Sequence, residues 1–347
     1  MDSELSTEQL TEVVLPGVVE PDDLRVHQRP IPVPGPGQVL VRMEATGVSF
    51  AELAMRRGRY YDQPPFPFVP GYDLVGVVTA VGAGADPALR TRRVAALTKV
   101  GGWTTHAVLD AADLVVVPDG VDPVSAEAVV VNGITAWQML HRKARIHRGQ
   151  TVLVHGANGG VGSILVQLAS IAGARVIGTA SSRHHETLRA LGVLPIDYRT
   201  EDVPARVREL APNGVDAVFD NVGGANITDA RDLLRRGGTL VSYGAANTMK
   251  GTGSATLPVL KTLARMWLWN VLPNGRNAHF FNVWAGRKLT RGRFMARQRT
   301  DLTALFDLIA TGQLTAQVAA TLPLSRTAEA MKLAESRTSV GKVILIP

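Results

Sequence analysis

A glycine-rich turn between two regular segments carries the clearest chemical signal in the sequence. It spans residues 155–162 (HGANGGVG), after the apolar run 151–155 and before residues 163–172, whose apolar spacing is helical. Small residues in such a turn let the backbone approach a pyrophosphate, and free N–H groups at the helix start bind the phosphates. The sequence therefore predicts a dinucleotide site formed by Ala157, Asn158, Gly159, Gly160, Val161 and Gly162, with alanine replacing the first glycine of the usual fingerprint.

The residues after the second predicted strand indicate which dinucleotide binds. Residues 174–179 are followed by Ser181, Ser182, Arg183 and His184, with no carboxylate among them. An enzyme that uses NAD usually places Asp or Glu here to bind the ribose hydroxyls, whereas hydroxyl, guanidinium and imidazole groups suit a 2′-phosphate. The segment therefore predicts NADPH rather than NADH. The two serines also fit as caps of the following helix, and the two roles are compatible.

Strands and helices alternate after about residue 133 in a pattern typical of a parallel sheet covered on both faces. Predicted strands occupy residues 151–155, 174–179, 215–220, 238–243 and 278–283. Predicted helices occupy residues 163–172, 184–191, 202–210 and 226–234. The alternation predicts an α/β fold with a doubly wound parallel sheet, an architecture that binds nucleotides.

The earlier part of the chain has a different texture. Residues 24–120 contain short segments rich in β-branched residues, such as 39–45 and 74–81, separated by Gly and Pro turns, which predicts a barrel-like β domain. The last part predicts helices at 302–310 and 328–335 and strands at 318–322 and 342–346. Because a completed parallel sheet has no place for these late strands, we assign them to the first domain. The predicted domains are residues 1–133 with 286–347, and residues 134–285.

Composition argues against several classes of function. The 347 residues are 46% hydrophobic and 19% charged, and no apolar run approaches the roughly 20 residues of a membrane span. The acidic start lacks the features of a secretory signal, so we expect a cytoplasmic protein with no membrane partner. The absence of cysteine excludes disulfides, thiol nucleophiles and thiolate-bound zinc. The formal charge of +7 is spread along the chain without a nucleic-acid-binding motif, so no nucleic-acid partner is expected.

Several short motifs occur along the chain in a fixed order. Besides the glycine turn, they are ATGVS (45–49), RGRY (57–60), PGYDLVGVV (70–78), NGITA (132–136), IDYR (196–199), DNVGG (220–224) and GKV (341–343). In this order they resemble the medium-chain dehydrogenase/reductase family, and within it the zinc-free quinone oxidoreductase and enoyl reductase branch. The resemblance implies a GroES-like β-barrel catalytic domain, a Rossmann domain that binds NADPH, and a homodimer.

The resemblance also implies how the substrate is activated. Zinc-dependent members of the family have a cysteine at the position of Ser49 and a histidine at the position of Tyr72. With both ligands replaced, no metal site is expected. Activation of the electrophile must then come from hydrogen bonds, or the substrate must already be activated. By resemblance, Tyr60 binds the substrate or supplies a proton, although a tyrosine in such a loop more often packs its ring and exposes its hydroxyl.

Further site residues follow from the same resemblance. The 2′-phosphate would be surrounded by Ser181, Arg183, His184 and Tyr198, and the nicotinamide half of the cofactor would be lined by Thr135, Asn221, Val222 and Gly244. The substrate pocket would include Ser49, Tyr60, Trp267, Phe280 and Phe281. The apolar run 263–272, which contains Trp267, fits core or dimer packing better than a lid over the substrate.

Taken together, the glycine turn and the family resemblance imply an NADPH-dependent reductase that transfers hydride to a quinone or an α,β-unsaturated carbonyl or enoyl compound without zinc. The cofactor supplies the chemistry, and the protein positions and desolvates it. The alternative is a protein that binds NADPH without catalysis, as in the lens crystallin and vesicle-associated relatives of this branch. The two alternatives differ in whether NADPH is consumed.

Overall fold

The computed structural model describes residues 8–60, 62–224, 226–244, 256–273, 275–336 and 338–347. Fifteen strands lie in this part of the chain. They are β1 (Gln9–Val14), β2 (Arg25–Pro30), β3 (Gln38–Val48), β4 (Asp73–Val81), β5 (Arg93–Leu97), β6 (His106–Asp110), β7 (Val115–Val116), β8 (Thr151–Val154), β9 (Arg175–Ala180), β10 (Leu194–Asp197), β11 (Val215–Asp220), β12 (Leu234–Ser242), β13 (Asn277–Phe280), β14 (Val318–Pro323) and β15 (Lys342–Ile346).

The described residues also contain ten α-helices. They are α1 (Phe50–Arg56), α2 (Pro123–Val129), α3 (Val131–Trp137), α4 (Gly160–Ile171), α5 (His185–Ala190), α6 (Val203–Leu210), α7 (Asn226–Asp232), α8 (Thr256–Val271), α9 (Arg291–Ala310) and α10 (Thr327–Ser336). None of the helices in this part of the chain has both the length and the apolarity that a membrane crossing requires.

Six strands form a wholly parallel sheet in the order β10-β9-β8-β11-β12-β13. The chain changes direction across the sheet between β8 and β11, the kind of switch point at which doubly wound folds bind ligands. The central strand β8 is buried on both sides, because Val152 and Val154 pack into one apolar cluster and Leu153 packs into another. The predicted parallel sheet, covered on both faces, is therefore confirmed.

Seven strands form the second large sheet, in which β14-β15-β3-β4-β5-β7 are neighbours and β6 pairs with β3. Its pairs are antiparallel apart from β14 with β15. In β15, Val343 pairs with Val48 and Leu345 pairs with Thr46, so the late strands join the β-rich part of the chain as predicted. The predicted domain boundaries stay predictions, and helix α3 crosses the one after residue 133.

Some details of the element predictions differ from the structure. The predicted helix 226–234 ends at Asp232, because Leu234 already pairs with Val215 as the start of β12. Helix α9 begins at Arg291 rather than residue 302, since buried Gln298 and Asp301 interrupt the apolar pattern on its inner face. Strand β10 was not expected, because it is short, contains proline and lies at the sheet edge, where proline is tolerated.

Candidate active site

The glycine turn after β8 is shaped by close backbone approaches. Gly156 has a φ of +64°, and a Cβ atom there would lie 2.5 Å from the Asn221 side-chain nitrogen. A Cβ atom on Gly162 would lie 2.2 Å from the Gly156 carbonyl oxygen, so this position excludes any side chain. At Gly159 the nearest atom to such a Cβ would be 3.4 Å away, which is ordinary contact. Gly159 therefore leaves one side of the turn open to a ligand.

Helix α4 begins at this open side. Its N-cap residue, Gly159, provides no side-chain hydrogen bond to the first turn. The first amides of a helix have no acceptor within the helix, and the positive end of the helix dipole lies beside them. Residues 157–162 therefore fit a diphosphate, which binds to such amides without any side chain.

The proposed 2′-phosphate region follows β9. Ser181 is buried, and its Oγ accepts a hydrogen bond from Nε of Arg183 at 3.2 Å. The Ser182 amide donates to Asp197 Oδ2 at 3.0 Å, which joins the ends of β9 and β10. His184 is buried in the same turn.

Asp197 is a further member of this region, and no prediction had placed it there. Its pKa lies below the ordinary value because the backbone N–H groups of Arg199 and Ser182 donate to the carboxylate. Tyr198 follows directly and is 53% exposed, with the Arg199 guanidinium 5.8 Å from its ring centre. Asp197 therefore brings Tyr198 to the same edge as the residues that follow β9.

The residues expected along the nicotinamide half lie at the ends of β11 and β12. Asp220 accepts hydrogen bonds from the amides of Val222 at 3.2 Å and Gly223 at 3.0 Å, which fixes the turn that contains Asn221. A Cβ atom on Gly244 would lie 2.7 Å from the Asn221 carbonyl oxygen. The structure therefore brings Asn221, Val222 and Gly244 together.

Helix α3 contributes the remaining residue of that group. Thr135 is buried on α3, three residues after Asn132 and so on the same side of the helix. The Asn132 side-chain nitrogen would lie 2.5 Å from a Cβ atom on Gly160. Thr135 therefore lies one helical turn from a residue that contacts the start of α4.

A second polar cluster involves the two positions where zinc-dependent relatives have metal ligands. Ser49 is the N-cap of α1 and forms a capping box with Glu52, which accepts a hydrogen bond from the Ser49 amide at 2.9 Å and another from the Ser49 hydroxyl. The second oxygen of Glu52 accepts a hydrogen bond from the Tyr72 amide at 2.7 Å. The buried carboxyl group of Glu52 therefore hydrogen-bonds to both Ser49 and Tyr72.

Two aromatic residues extend this cluster. The hydroxyl groups of Tyr60 and Tyr72 are 2.6 Å apart, and the Trp284 indole N–H donates to the Tyr72 hydroxyl. Tyr72 is buried, whereas Tyr60 and Trp284 are half-buried. We call Ser49, Glu52, Tyr60, Tyr72 and Trp284 the hydroxyl network. It contains the predicted residues Ser49 and Tyr60 and places a phenol where it can donate a hydrogen bond.

Burial has a strong effect on the acid in the hydroxyl network. It raises the pKa of Glu52 to about 7, with the hydrogen bond from Ser49 acting in the opposite direction. The negative charge of Asp73 raises the pKa further, and the positive charge of Lys342 lowers it. Glu52 therefore takes up a proton at a much higher pH than an exposed glutamate does.

The three aromatic residues predicted for the substrate pocket lie in different surroundings. Phe281 is buried in the apolar cluster against which Tyr60 and Trp284 pack. Phe280 packs on the cluster at the other face of the parallel sheet. Trp267 is 68% exposed on α8. The structure therefore places Phe281 in the same apolar cluster as the aromatic residues of the hydroxyl network, and it places Phe280 and Trp267 outside that cluster.

Comparison with known proteins places the chain in a family. The model described as "Alcohol dehydrogenase GroES-like domain" matches residues 35–119, and the model described as "Zinc-binding dehydrogenase" matches residues 191–345. The synaptic vesicle membrane protein VAT-1 homolog of Homo sapiens is 34% identical over 351 residues, covering 96% of this chain and 86% of that protein. The chain belongs to the medium-chain dehydrogenase/reductase superfamily.

Other members of this superfamily that resemble the chain are named as reductases. The 2-haloacrylate reductase of Burkholderia sp is 31% identical, over 94% of this chain and 96% of that protein. The structure of Escherichia coli quinone oxidoreductase complexed with NADPH superposes with a TM-score of 0.83 and 26% identity, covering 97% of this chain and 100% of that chain. These relatives confirm the predicted Rossmann and GroES-like fold and relate the chain to oxidoreductases.

The hydroxyl network is the main feature that sequence reasoning missed in this member of the superfamily. Ser49 and Tyr60 were predicted, but Glu52 and Trp284 were not. The available signal was the spacing Ser-x-x-Glu at residues 49–52, which is typical of a capping box. No group of three or more His, Asp or Glu side chains in the described residues is arranged to hold a metal, and zinc independence stays a prediction.

Proposed function

We propose that the protein is an NADPH-dependent reductase that delivers hydride, without zinc, to a quinone or an α,β-unsaturated carbonyl compound. The observation that supports this most is the state of the two zinc-ligand positions. Ser49 and Tyr72 are both hydrogen-bonded to Glu52 and form part of a network of hydroxyl groups. Hydroxyl groups polarise or protonate an oxygen of the substrate. They suit a substrate that accepts hydride without activation by a metal.

The cofactor would be held by the residues that follow β8 and β9. Residues 157–162 bind the diphosphate through backbone amides, and Ser181 and Arg183 bind the 2′-phosphate through a hydroxyl and a guanidinium group. Thr135, Asn221, Val222 and Gly244 line the nicotinamide half. When bound, the reduced nicotinamide supplies the hydride.

The substrate class is supported by two relatives. One is named for reduction of a 2-haloacrylate, which is an α,β-unsaturated acid, and one is named for reduction of quinones. Both kinds of molecule accept hydride and leave negative charge on oxygen. Tyr60 and Ser49 are the half-buried residues of the network that carry hydroxyl groups, and they would donate hydrogen bonds to that oxygen.

The decisive experiment is to follow NADPH absorbance with a panel of acceptors that includes menadione and methyl vinyl ketone. The second compound is usable because the chain has no cysteine to alkylate. We expect consumption of NADPH with at least one class of acceptor. Absence of turnover across the panel, with NADPH still bound, contradicts the proposal.

The choice of cofactor has a sharper test in Arg183→Ala. Loss of a charge-assisted hydrogen bond to phosphate should weaken NADPH binding at least about tenfold and leave NADH binding unchanged. Arg189→Ala is the matched control, because Arg189 is an exposed residue on α5. Equal effects of Arg183→Ala on the two nucleotides in a calorimetric titration would contradict the assignment of the 2′-phosphate region.

A second candidate is a protein that binds NADPH without catalysis. The similarity to the VAT-1 homolog favours it, because that protein is named as a synaptic vesicle membrane protein and not for a reaction. Tight NADPH binding without turnover on any acceptor would support this candidate. A cytoplasmic location, a homodimer and the absence of nucleic-acid or membrane partners are proposed with either function.

A further inference from the structure

A buried acid lies at the inner end of the hydroxyl network. Glu52 is 1% exposed, and its Oε2 atom contacts both the amide and the hydroxyl group of Ser49. Ser49 itself is only half-buried. Its hydroxyl group therefore links a buried acid to a residue that is partly open to solvent.

Helix capping alone does not account for this acid. A capping box needs the N3 side chain to accept a hydrogen bond from the N-cap amide, and glutamate and glutamine both do so. Such a side chain normally stays exposed at a helix start, because an acid resists burial. Glu52 is buried and also accepts a hydrogen bond from the Tyr72 amide at 2.7 Å.

The charges around Glu52 leave it able to exchange a proton. Asp73 of β4 and Lys342 of β15 act on it in opposite directions, and burial sets its pKa at about 7. On the same helix, Arg56 is engaged by Glu20 and Glu335 and does not pair with Glu52. Glu127 of α2, which pairs with Lys342, also has a pKa raised by burial, but Glu52 is the acid that contacts Ser49.

We propose that Glu52 is the proton source of the reduction and acts through the Ser49 hydroxyl on an oxygen of the substrate. This inference rests on the proposed function and deepens it. In the hydrogen bond between Ser49 Oγ and Glu52 Oε2, the serine donates when Glu52 is a carboxylate, and Glu52 can donate when it is protonated. When Glu52 is protonated and donates to Ser49, the serine O–H is free to donate to a substrate.

The step balances without a further reactant. Hydride addition to a quinone, or to the β-carbon of an enone, leaves an electron pair and a negative charge on an oxygen of the product. The Ser49 O–H bond breaks as the new O–H bond to that oxygen forms, and Ser49 Oγ takes the proton of Glu52. The product is a hydroquinone, or an enol that tautomerises to the ketone. The carboxylate of Glu52 then takes a proton from water.

The kinetic test is Glu52→Gln, which removes the titrating proton and can still cap α1, although its single carbonyl oxygen accepts from only one of the Ser49 and Tyr72 amides. For the wild type, kcat should fall as pH rises through about 7, because the carboxylate form has no proton to give. In Glu52→Gln, kcat at about pH 6 should fall at least about tenfold, the pH dependence should be lost and the NADPH dissociation constant should not change. Identical pH profiles for the two proteins overturn the proposal.

A second measurement does not depend on activity. Infrared spectra of the protein without nucleotide should show a protonated carboxyl band that disappears as pH rises through about 7. The band should be absent from Glu52→Gln and present in Glu209→Gln, in which an exposed acid of α6 is changed. Ser49→Ala should keep the band, but its kcat should no longer fall as pH rises through about 7. A band that is unchanged in Glu52→Gln overturns the proposal.

The outcomes separate this inference from the proposed function. If the wild type consumes no NADPH with menadione or methyl vinyl ketone, the proposed function fails, whatever the infrared band shows. If the wild type turns over and Glu52→Gln keeps its rate and pH profile, the function stands and Glu52 serves only to cap α1.

Discussion

Burial of Glu52 should be visible in how stability depends on pH. The native protein raises the pKa of this group from 4.5 to about 7, so between these values it binds a proton that the unfolded chain has lost. Stability is therefore highest, for this group, below about pH 4.5 and falls as pH rises to about 7. Glutamine does not titrate, so Glu52→Gln should gain up to about 3 kcal/mol relative to wild type over that range.

Urea unfolding of both proteins across this pH range measures the effect. The relevant quantity is the change with pH in the difference of unfolding free energies, because any constant cost of the substitution cancels. Glu209→Gln should run parallel to wild type, since Glu209 is exposed. A constant difference between Glu52→Gln and wild type at every pH would show that Glu52 titrates normally.

Two glycines of the turn should respond differently to a methyl group. In Gly162→Ala the Cβ would lie 2.2 Å from a backbone oxygen, so the turn must shift, and we expect a loss of about 1–3 kcal/mol of unfolding free energy. In Gly159→Ala the Cβ meets only an ordinary contact, so stability should change by about 1 kcal/mol or less. Its methyl group instead enters the side left open to the diphosphate, and NADPH affinity should fall at least about tenfold.

Thermal unfolding without nucleotide and calorimetric titration with NADPH distinguish the two variants. Retained NADPH affinity in Gly159→Ala would mean that the diphosphate lies elsewhere. Equal stability of Gly162→Ala and wild type would mean that the turn is not closely packed.

The residues of the site differ in how far sequence could identify them. The turn 155–162 was recognisable because backbone geometry restricts its residue types, and the structure shows that restriction at Gly156 and Gly162. Glu52 was not recognisable, because Ser-x-x-Glu has the same form whether the acid is exposed or buried. Its surroundings include Asp73 of β4 and Lys342 of β15, which no local pattern around α1 reveals.

At the scale of elements, a buried triad of charged residues links β15 to β4 and α2. Nζ of Lys342 in β15 lies 2.8 Å from Asp73 of β4 and 2.7 Å from Glu127 of α2, and all three side chains are buried. Burial opposes the charge on Lys342, but the two carboxylates raise its pKa above the ordinary value. Burial, with Asp73 beside it, raises the pKa of Glu127.

Removing the ammonium group should therefore be costly. Lys342→Met leaves two buried acids without their common partner and should lower the unfolding free energy by about 3–5 kcal/mol. The control is Lys332→Met, which removes an exposed ion pair with Asp22 and should cost about 1 kcal/mol or less. Similar urea midpoints for the two variants would show that the triad contributes no more than a surface pair.

Elements were predicted well where their pattern was regular. The strands β8 and β11 follow buried apolar runs, and β15 was predicted with the bounds that the structure has. Helix α9 was predicted too short because buried polar groups replace apolar ones on its inner face. Gln138 donates to Asp301 at 2.8 Å, and Arg142 also pairs with Asp301. Such pairing depends on distant residues and leaves no local periodicity.

At the scale of the whole molecule, an exposed apolar face favours self-association. Leu263, Trp267 and Val271 are exposed at four-residue spacing on α8. Strand β13 lies beside this helix at the end of the parallel sheet, where one backbone edge has no strand partner among the described residues. We expect a second copy of the chain to cover this surface, because it would bury both the apolar side chains and the sheet edge.

Light scattering coupled to size exclusion tests this expectation. The wild type should have the mass of a dimer, and Trp267→Glu combined with Leu263→Glu should have the mass of a monomer. Lys261→Glu is the control, because Lys261 is exposed elsewhere on α8 and should leave the dimer intact. A monomeric wild type at micromolar concentration would contradict the homodimer.

The placement of β15 has a consequence for how the protein is made. This strand follows the other described elements along the chain, yet it pairs with β3, and the Gly341 amide donates to the Asn158 carbonyl of the glycine turn at 3.1 Å. On the ribosome, the other strands of both sheets therefore emerge before Gly341 and β15. Until then Asp73 and Glu127 lack their ammonium partner and an edge of β3 stays open to other strands. The contact between Gly341 and the glycine turn, and with it the proposed nucleotide site, therefore forms only after β15 has been synthesised, well after the turn itself.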